Sequence, residues 1–108
     1  MGNGVFTIEF HLANLWRTLG KYKVSLQHYK NHLTLQEKKW GSTPNIQTAL
    51  AHFYLAGLYE SIWRLAPAIS HYDQAIKIAS EILPQDDTSL LSLKSQAALV
   101  KQNQHAKN

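Results

Sequence analysis

The chain predicts an all-α fold built from antiparallel helix pairs packed side by side. Three observations carry that prediction. Sliding the sequence against itself by 43 positions lays "FHLANLWRTLGKYKVSLQHY" (10–29) over "FYLAGLYESIWRLAPAISHY" (53–72). Within each copy, apolar residues recur at steps of three and four, the signature of a helix with one buried stripe. Only three Pro and five Gly interrupt 108 residues, and several of them fall between the periodic segments.

The elements follow in order. A first helix is expected over about residues 6–18, ended by Gly20, whose missing side chain permits a tight turn. Tyr22, Leu26, Tyr29, Leu33 and Trp40 then form one stripe of a second helix. In "WGSTPN", Gly41 can end that helix in a left-handed conformation. Thr43 is expected to cap the next helix, with Pro44 at its first position, where no amide donor is needed. The third helix covers about 45–61. Pro67 sits just inside the start of the fourth, whose stripe is Leu65, Ile69, Tyr72, Ile76, Ala79 and Leu83. Pro84 stops it. Asp86 or Asp87 caps a fifth helix over 87–101 with an apolar face of Leu90, Leu93, Ala97 and Val100, and residues 102–108 read as a polar tail.

The self-match is dense enough to define an internal repeat. Phe10/Phe53, Leu12/Leu55, Ala13/Ala56, Leu15/Leu58, His28/His71 and Tyr29/Tyr72 are identical pairs. Trp16/Tyr59, Leu19/Ile62, Ser25/Ala68, Leu26/Ile69, Leu33/Ile76 and Leu35/Ile78 are conservative ones. A period between about 20 and 50 residues points to a stacked array. Ala13, Ser25, Ala56, Ala68 and Ala75 are small where the two helices of a pair must approach. The fifth helix does not continue the pattern: Leu55, Leu58 and Tyr59 would fall on Ala98, Lys101 and Gln102.

Composition narrows the function classes. The length suits one domain with a modest core. With no cysteine, disulfides, thiolate metal sites and a Cys nucleophile are excluded. That fits a reducing compartment, and a cytoplasmic location is the expectation. The most apolar run, "ALAHFYLAGLY", is too short to span a membrane and contains His52. No leader is visible, and "MGNGVF" places Phe6 where a myristoylation motif needs Ser or Thr.

Residues 1–54 hold six Lys or Arg against two Glu, whereas residues 55–108 hold five of each sign. An acidic partner facing the first half is therefore conceivable. Nucleic acid is disfavoured, because the basic residues are scattered and lack a reading motif.

With these residues in view, the chain resembles tetratricopeptide repeats (TPR). Leu12, Ala13, Trp16, Ser25 and Tyr29 meet that pattern once, and Leu55, Ala56, Tyr59, Ala68, Tyr72 and Ala75 meet it again. The 43-residue spacing exceeds the family's usual period of about 34 and is similar to the longer kinesin-light-chain type of unit. The resemblance implies a short right-handed α-solenoid: one unit over 6–40, a second over 44–83, and a terminal helix as cap or degenerate third unit. Two positions depart from the family. Trp63 stands where Gly20 stands in the first unit, implying a turn without left-handed geometry. His32 replaces a preferred Ala, implying a looser helix pair or a polar atom near the unit interface.

The resemblance also implies a concave groove for a peptide or helix of a partner. Carried over residue by residue, it comprises Thr7, Phe10, Asn14, Arg17 and Thr18, then Leu50, Phe53, Gly57, Glu60 and Ser61. Phe10 and Phe53 would stack one repeat apart as apolar anchors, flanked by Asn14 and Arg17; the alternative is that both rings pack into neighbouring helices. The family's clamp for a chaperone C-terminus is not matched, because Phe10, Tyr54 and Gly57 replace its charged or amide groups.

No catalytic constellation, cofactor motif or metal set is found. His28 and His32 have the four-residue spacing of a metal pair but no third ligand, and His28 recurs as His71 within the repeat. The expected function is a non-enzymatic interaction module, an adaptor or scaffold. Alternatives are a structural element that dimerises through its terminal repeat faces, with "VFTIEF" the less protected edge, and a piece of a larger TPR scaffold.

Overall fold

A computed structural model describes residues 2–107, with side-chain environments from residue 8 to residue 106. The described chain is all-helical, without strands. It comprises α1 (Gly2–Thr18), α2 (Tyr22–Trp40), α3 (Ile46–Ser61), α4 (Leu65–Ser80) and α5 (Thr88–Lys107). Each helix packs against the next in chain order, so α3 stands between α2 and α4. The outline is 44 × 35 × 20 Å. Its short dimension is that of two helix diameters of about 10 Å each.

Small residues govern both helix pairs. Ala13, Ser25, Ala56, Ala68 and Ala75 have no exposed surface at all. Ser25 Oγ donates to the Ala13 carbonyl at 2.7 Å, a distance that only two closely approaching backbones allow. Beyond these contacts the Tyr29 and Tyr72 rings fill the core, both almost completely buried.

The turns within the two pairs have the same hydrogen-bond pattern. After α1, Lys21 N–H reaches the Trp16 carbonyl at 2.8 Å and Gly20 N–H the Arg17 carbonyl at 3.0 Å. After α3, Arg64 N–H reaches Tyr59 at 2.9 Å and Trp63 N–H reaches Glu60 at 3.0 Å. Both are Schellman closures, which require a left-handed residue one position past the helix. Gly20 supplies it with φ 78°, and Trp63 supplies it with φ 60°. The expectation that Trp63 abandons left-handed geometry is thus wrong. Satisfying the last carbonyls of α3 outweighs the steric cost of Trp in that conformation, a cost of about 1–2 kcal/mol.

Two other boundaries differ from expectation, the cap of α3 and the end of α5; of the two caps expected for α5, Asp87 is the one used. Asn45, not Thr43, caps α3: its Oδ1 accepts from the Gln47 amide at 2.8 Å. Pro44 biases Thr43 towards extended backbone, so the helix begins after the stronger capping residue. Asp87 caps α5, accepting from Ser89 N–H at 2.9 Å and Leu90 N–H at 3.1 Å. The expected tail is helical as far as Lys107, since Lys, Gln and Ala are good helix formers and no Pro or Gly intervenes. Gly41, with φ 59°, ends α2 as expected.

His32 is buried and lies 5.5 Å from the Phe10 ring centroid. The two rings are tilted against each other, so an imidazole lies in the packing of α2 on α1.

The turn geometry yields a paired prediction. A Cβ at Gly20 would meet nothing within 4 Å, so Gly20→Ala pays only for its backbone conformation. It should lower stability by about 1 kcal/mol. Trp63→Gly should raise stability by about 0.5–1 kcal/mol, the relief of strain being partly offset by the flexibility glycine adds to the unfolded chain. Both are read as shifts of the urea midpoint at unchanged slope.

Candidate functional site

The tyrosine of each second helix points its hydroxyl back at the first helix. Tyr29 donates to Asn14 Oδ1, and Tyr72 donates to Glu60 Oε1 at 2.8 Å. Burial raises both phenol pKa values. At Tyr29 the Arg17 guanidinium opposes the rise; at Tyr72 the Glu60 carboxylate adds to it. Glu60 also accepts from Gln96 Nε2 at 3.1 and 3.2 Å, so one carboxylate links α3, α4 and α5.

The space beside these tyrosines differs between the two pairs. Next to the first, Tyr54 of α3 is wedged between α1 and α2. Its ring is 4.9 Å from Phe10, edge-on, and 6.1 Å from Tyr29, in parallel. Next to the second, α5 contributes no Phe, Tyr or Trp, because "TSLLSLKSQAALVKQNQHAK" contains none. The gap stays open as a cavity of about 650 Å³. Its walls are Ile46, Ala49, Leu50 and Phe53 from α3, Tyr72 and Ala79 from α4, Leu83, and Thr88, Ser89, Leu90, Ser92, Leu93 and Gln96 from α5.

The expected groove residues divide between several places. Leu50 and Phe53 line this cavity. Phe10 is half-buried and packs among Tyr29, His32 and Tyr54, and Tyr54 contacts both it and Phe53. The two phenylalanines are therefore not stacked on each other. Asn14 is occupied by Tyr29, and the Thr18 hydroxyl bonds back to the Asn14 carbonyl at 2.9 Å. Arg17 is exposed beside Tyr29. Gly57, Glu60 and Ser61 border a smaller, more polar cleft of about 410 Å³ with Trp63, Leu65 and Asn103. Thr7 lies outside the residues whose side chains are described.

Sequence reasoning missed the α5 wall. The only signal for it was the loss of aromatic residues after Tyr72.

Outside the cavity, one position of the repeat carries two chemistries. Glu9 and His52 correspond at the 43-residue offset, as do His28 and His71. In the first pair His28 Nδ1 and Glu9 Oε2 are 2.7 Å apart, and Asn31 donates to the same oxygen at 3.4 Å. In the second, His52 Nδ1 and His71 Nδ1 are 2.9 Å apart, with Tyr59 stacked on His71 at 5.7 Å. Burial and the neighbouring His71 lower the His52 pKa to about 4; burial and then Lys30 lower that of His71.

Among the described residues no three His, Cys, Asp or Glu side chains converge on a metal position. No described helix is long and apolar enough to cross a membrane. Comparison with protein-family models, with curated proteins and with solved structures returns no match.

The histidine pair makes stability pH-dependent. His52 binds its proton near pH 6.5 when unfolded and only near 4 when folded, so the unfolded state takes up more protons between those values. The stability contributed by neutral His52 is present above pH 6.5 and is lost as pH falls towards 4, up to about 3 kcal/mol. Urea titrations of wild type and His52→Gln between those limits should show a shallower loss in the variant.

Proposed function

We propose that the chain is a non-enzymatic protein-interaction module of the TPR-like type, binding an apolar peptide or helix in the cavity between α3 and α5. The observation that carries this reading is the open space beside Phe53 and Tyr72, where the first pair has Tyr54. Its volume of about 650 Å³ lies within the ~300–1,000 Å³ of typical ligand pockets. Leu50 and Phe53, at 40% and 37% exposure, supply apolar contact from one wall, and Leu93 supplies it from the other. Ser89, Ser92, the Tyr72 hydroxyl and Gln96 supply hydrogen-bonding groups at fixed places.

Support for the repeat reading comes from the Schellman turns, which recur at the 43-residue offset, and from Tyr29 and Tyr72, which correspond at that offset and each donate to the preceding helix, though to acceptors that do not correspond, Asn14 and Glu60. In such a stack the groove sits on the faces of the first helices, as the resemblance implies. It is displaced here to the second and third of them, because Tyr54 fills the preceding position.

Peptides selected against the wild-type chain by display provide the test. Phe53→Ala should weaken their binding at least about tenfold, the effect of losing a central aromatic contact. Ser92→Trp, which closes the cavity from the α5 side, should abolish binding while leaving the helical circular-dichroism spectrum unchanged. Selected peptides whose affinity is indifferent to both substitutions would reject the cavity as the binding site.

A further inference from the structure

At the 43-residue offset, Ile8, Leu12, Leu15 and Leu19 of the first pair correspond to Ala51, Leu55, Leu58 and Ile62 of the second. In α3 these positions form a stripe beside the edge of His52 and Tyr59, which is turned towards His71 of α4. α3 packs between α2 and α4, and its Tyr54 stacks on Tyr29 of α2. Ala51, Leu55 and Leu58 are accordingly 1%, 0% and 1% exposed. The same face of α1 has no cover among the described residues: Ile8, Leu15 and Leu19 are 58%, 52% and 58% exposed.

Steps of four, three and four residues align these side chains along one seam, the spacing of helices that pack lengthwise. The molecule thus contains a filled example of this face on α3 and an unfilled one on α1.

Charge indicates what kind of helix would fill it. The first half carries six basic residues against two acidic ones, and of these the exposed Lys21 and Lys23 directly follow the end of the seam at Leu19, whereas Arg17 lies beside Tyr29 and Lys30 acts on His71. Of the two acidic residues there, Glu9 is engaged by His28. A second copy of the chain would bring an equally positive half onto this face, whereas an acidic helix would be attracted to it.

We propose that the Ile8, Leu12, Leu15 and Leu19 face of α1 docks an acidic amphipathic helix of a partner protein, seated as α2 is seated on α3. This site is separate from the cavity between α3 and α5 and does not depend on it.

The probe is α2 itself with its charge reversed: a labelled peptide of residues 22–40 carrying Lys23→Glu, Lys30→Glu, Lys38→Glu and Lys39→Glu. All four positions are exposed in α2, so the face of Tyr29, His32, Leu33 and Gln36 that α2 buries is retained. Fluorescence anisotropy at low ionic strength should show saturable binding, at least about tenfold tighter than that of the unmodified 22–40 peptide and weakening as salt is added. Leu15→Asp in the protein, and independently Ile8→Asp, should reduce the affinity at least about tenfold; Leu50→Asp in the α3–α5 cavity should leave it unchanged. All three positions are exposed, and circular dichroism of each variant should match that of the wild type.

No saturable binding, equal binding of the basic peptide, or binding that survives Leu15→Asp would overturn the proposal. So would binding lost only with Leu50→Asp, which assigns the peptide to the cavity. A concentration-dependent dimer of the chain alone, dissociated by Leu15→Asp in light scattering, would also overturn it, because a second copy would then be the occupant.

Discussion

Everything in this molecule depends on how closely the two helices of each pair approach. Turns of three residues, 19–21 and 62–64, return the chain antiparallel. The returning helix can lie against the first only where side chains are small. Ala13 against Ser25, and Ala56 with Ala68, provide that contact with no exposed surface. The hydroxyl of Ser25 spans to the opposing backbone at 2.7 Å instead of forcing it away. The constraint is severe enough that left-handed backbone is accepted at Trp63 to close the turn. A helix end with unsatisfied carbonyls and a splayed pair would cost more than one strained residue.

Close approach then sets the chemistry one layer out. Tyr29 and Tyr72 lie just beyond the small-residue contact, deep enough for their rings to be buried and long enough for their hydroxyls to reach polar groups on the preceding helix. The next helix in the chain must pack against these rings. Where it brings Tyr54, the aromatic cluster with Phe10 and Tyr29 closes the core. Where it brings Ser92, Leu93 and Gln96, a cavity remains. One interface is thus filled by an aromatic side chain, and the other retains an open space.

Charge is divided along with packing. The first pair carries the basic excess and pairs its imidazole with a carboxylate, so His28 and Glu9 face each other. The second pair sets two imidazoles together in a buried place where neither is readily protonated. The apolar seam of α1 belongs to the positive half, whereas the cavity is walled by residues of both halves and has Glu60 at the Tyr72 hydroxyl. Two apolar surfaces in unlike electrostatic settings favour unlike ligands.

The sequence by itself determined the elements that depend on local chemistry. Helix periodicity, the Gly20 and Gly41 turns, the Asp87 cap and the small residues at 13, 25, 56 and 68 were legible because each is dictated by neighbours a few positions away. Cap choice between Thr43 and Asn45 was not, since both residues can accept an amide and the difference lies in how Pro44 directs the chain. Tertiary structure alone decided which aromatic rings are plugs and which are walls. Phe10 and Phe53 are identical letters 43 positions apart, yet one packs among Tyr29, His32 and Tyr54 and the other lines an open cavity. That outcome depends on the residues a different helix brings across the gap. The exposure of Ile8, Leu15 and Leu19 has the same origin: α1 packs against α2, whereas their counterparts lie in α3, which packs between α2 and α4.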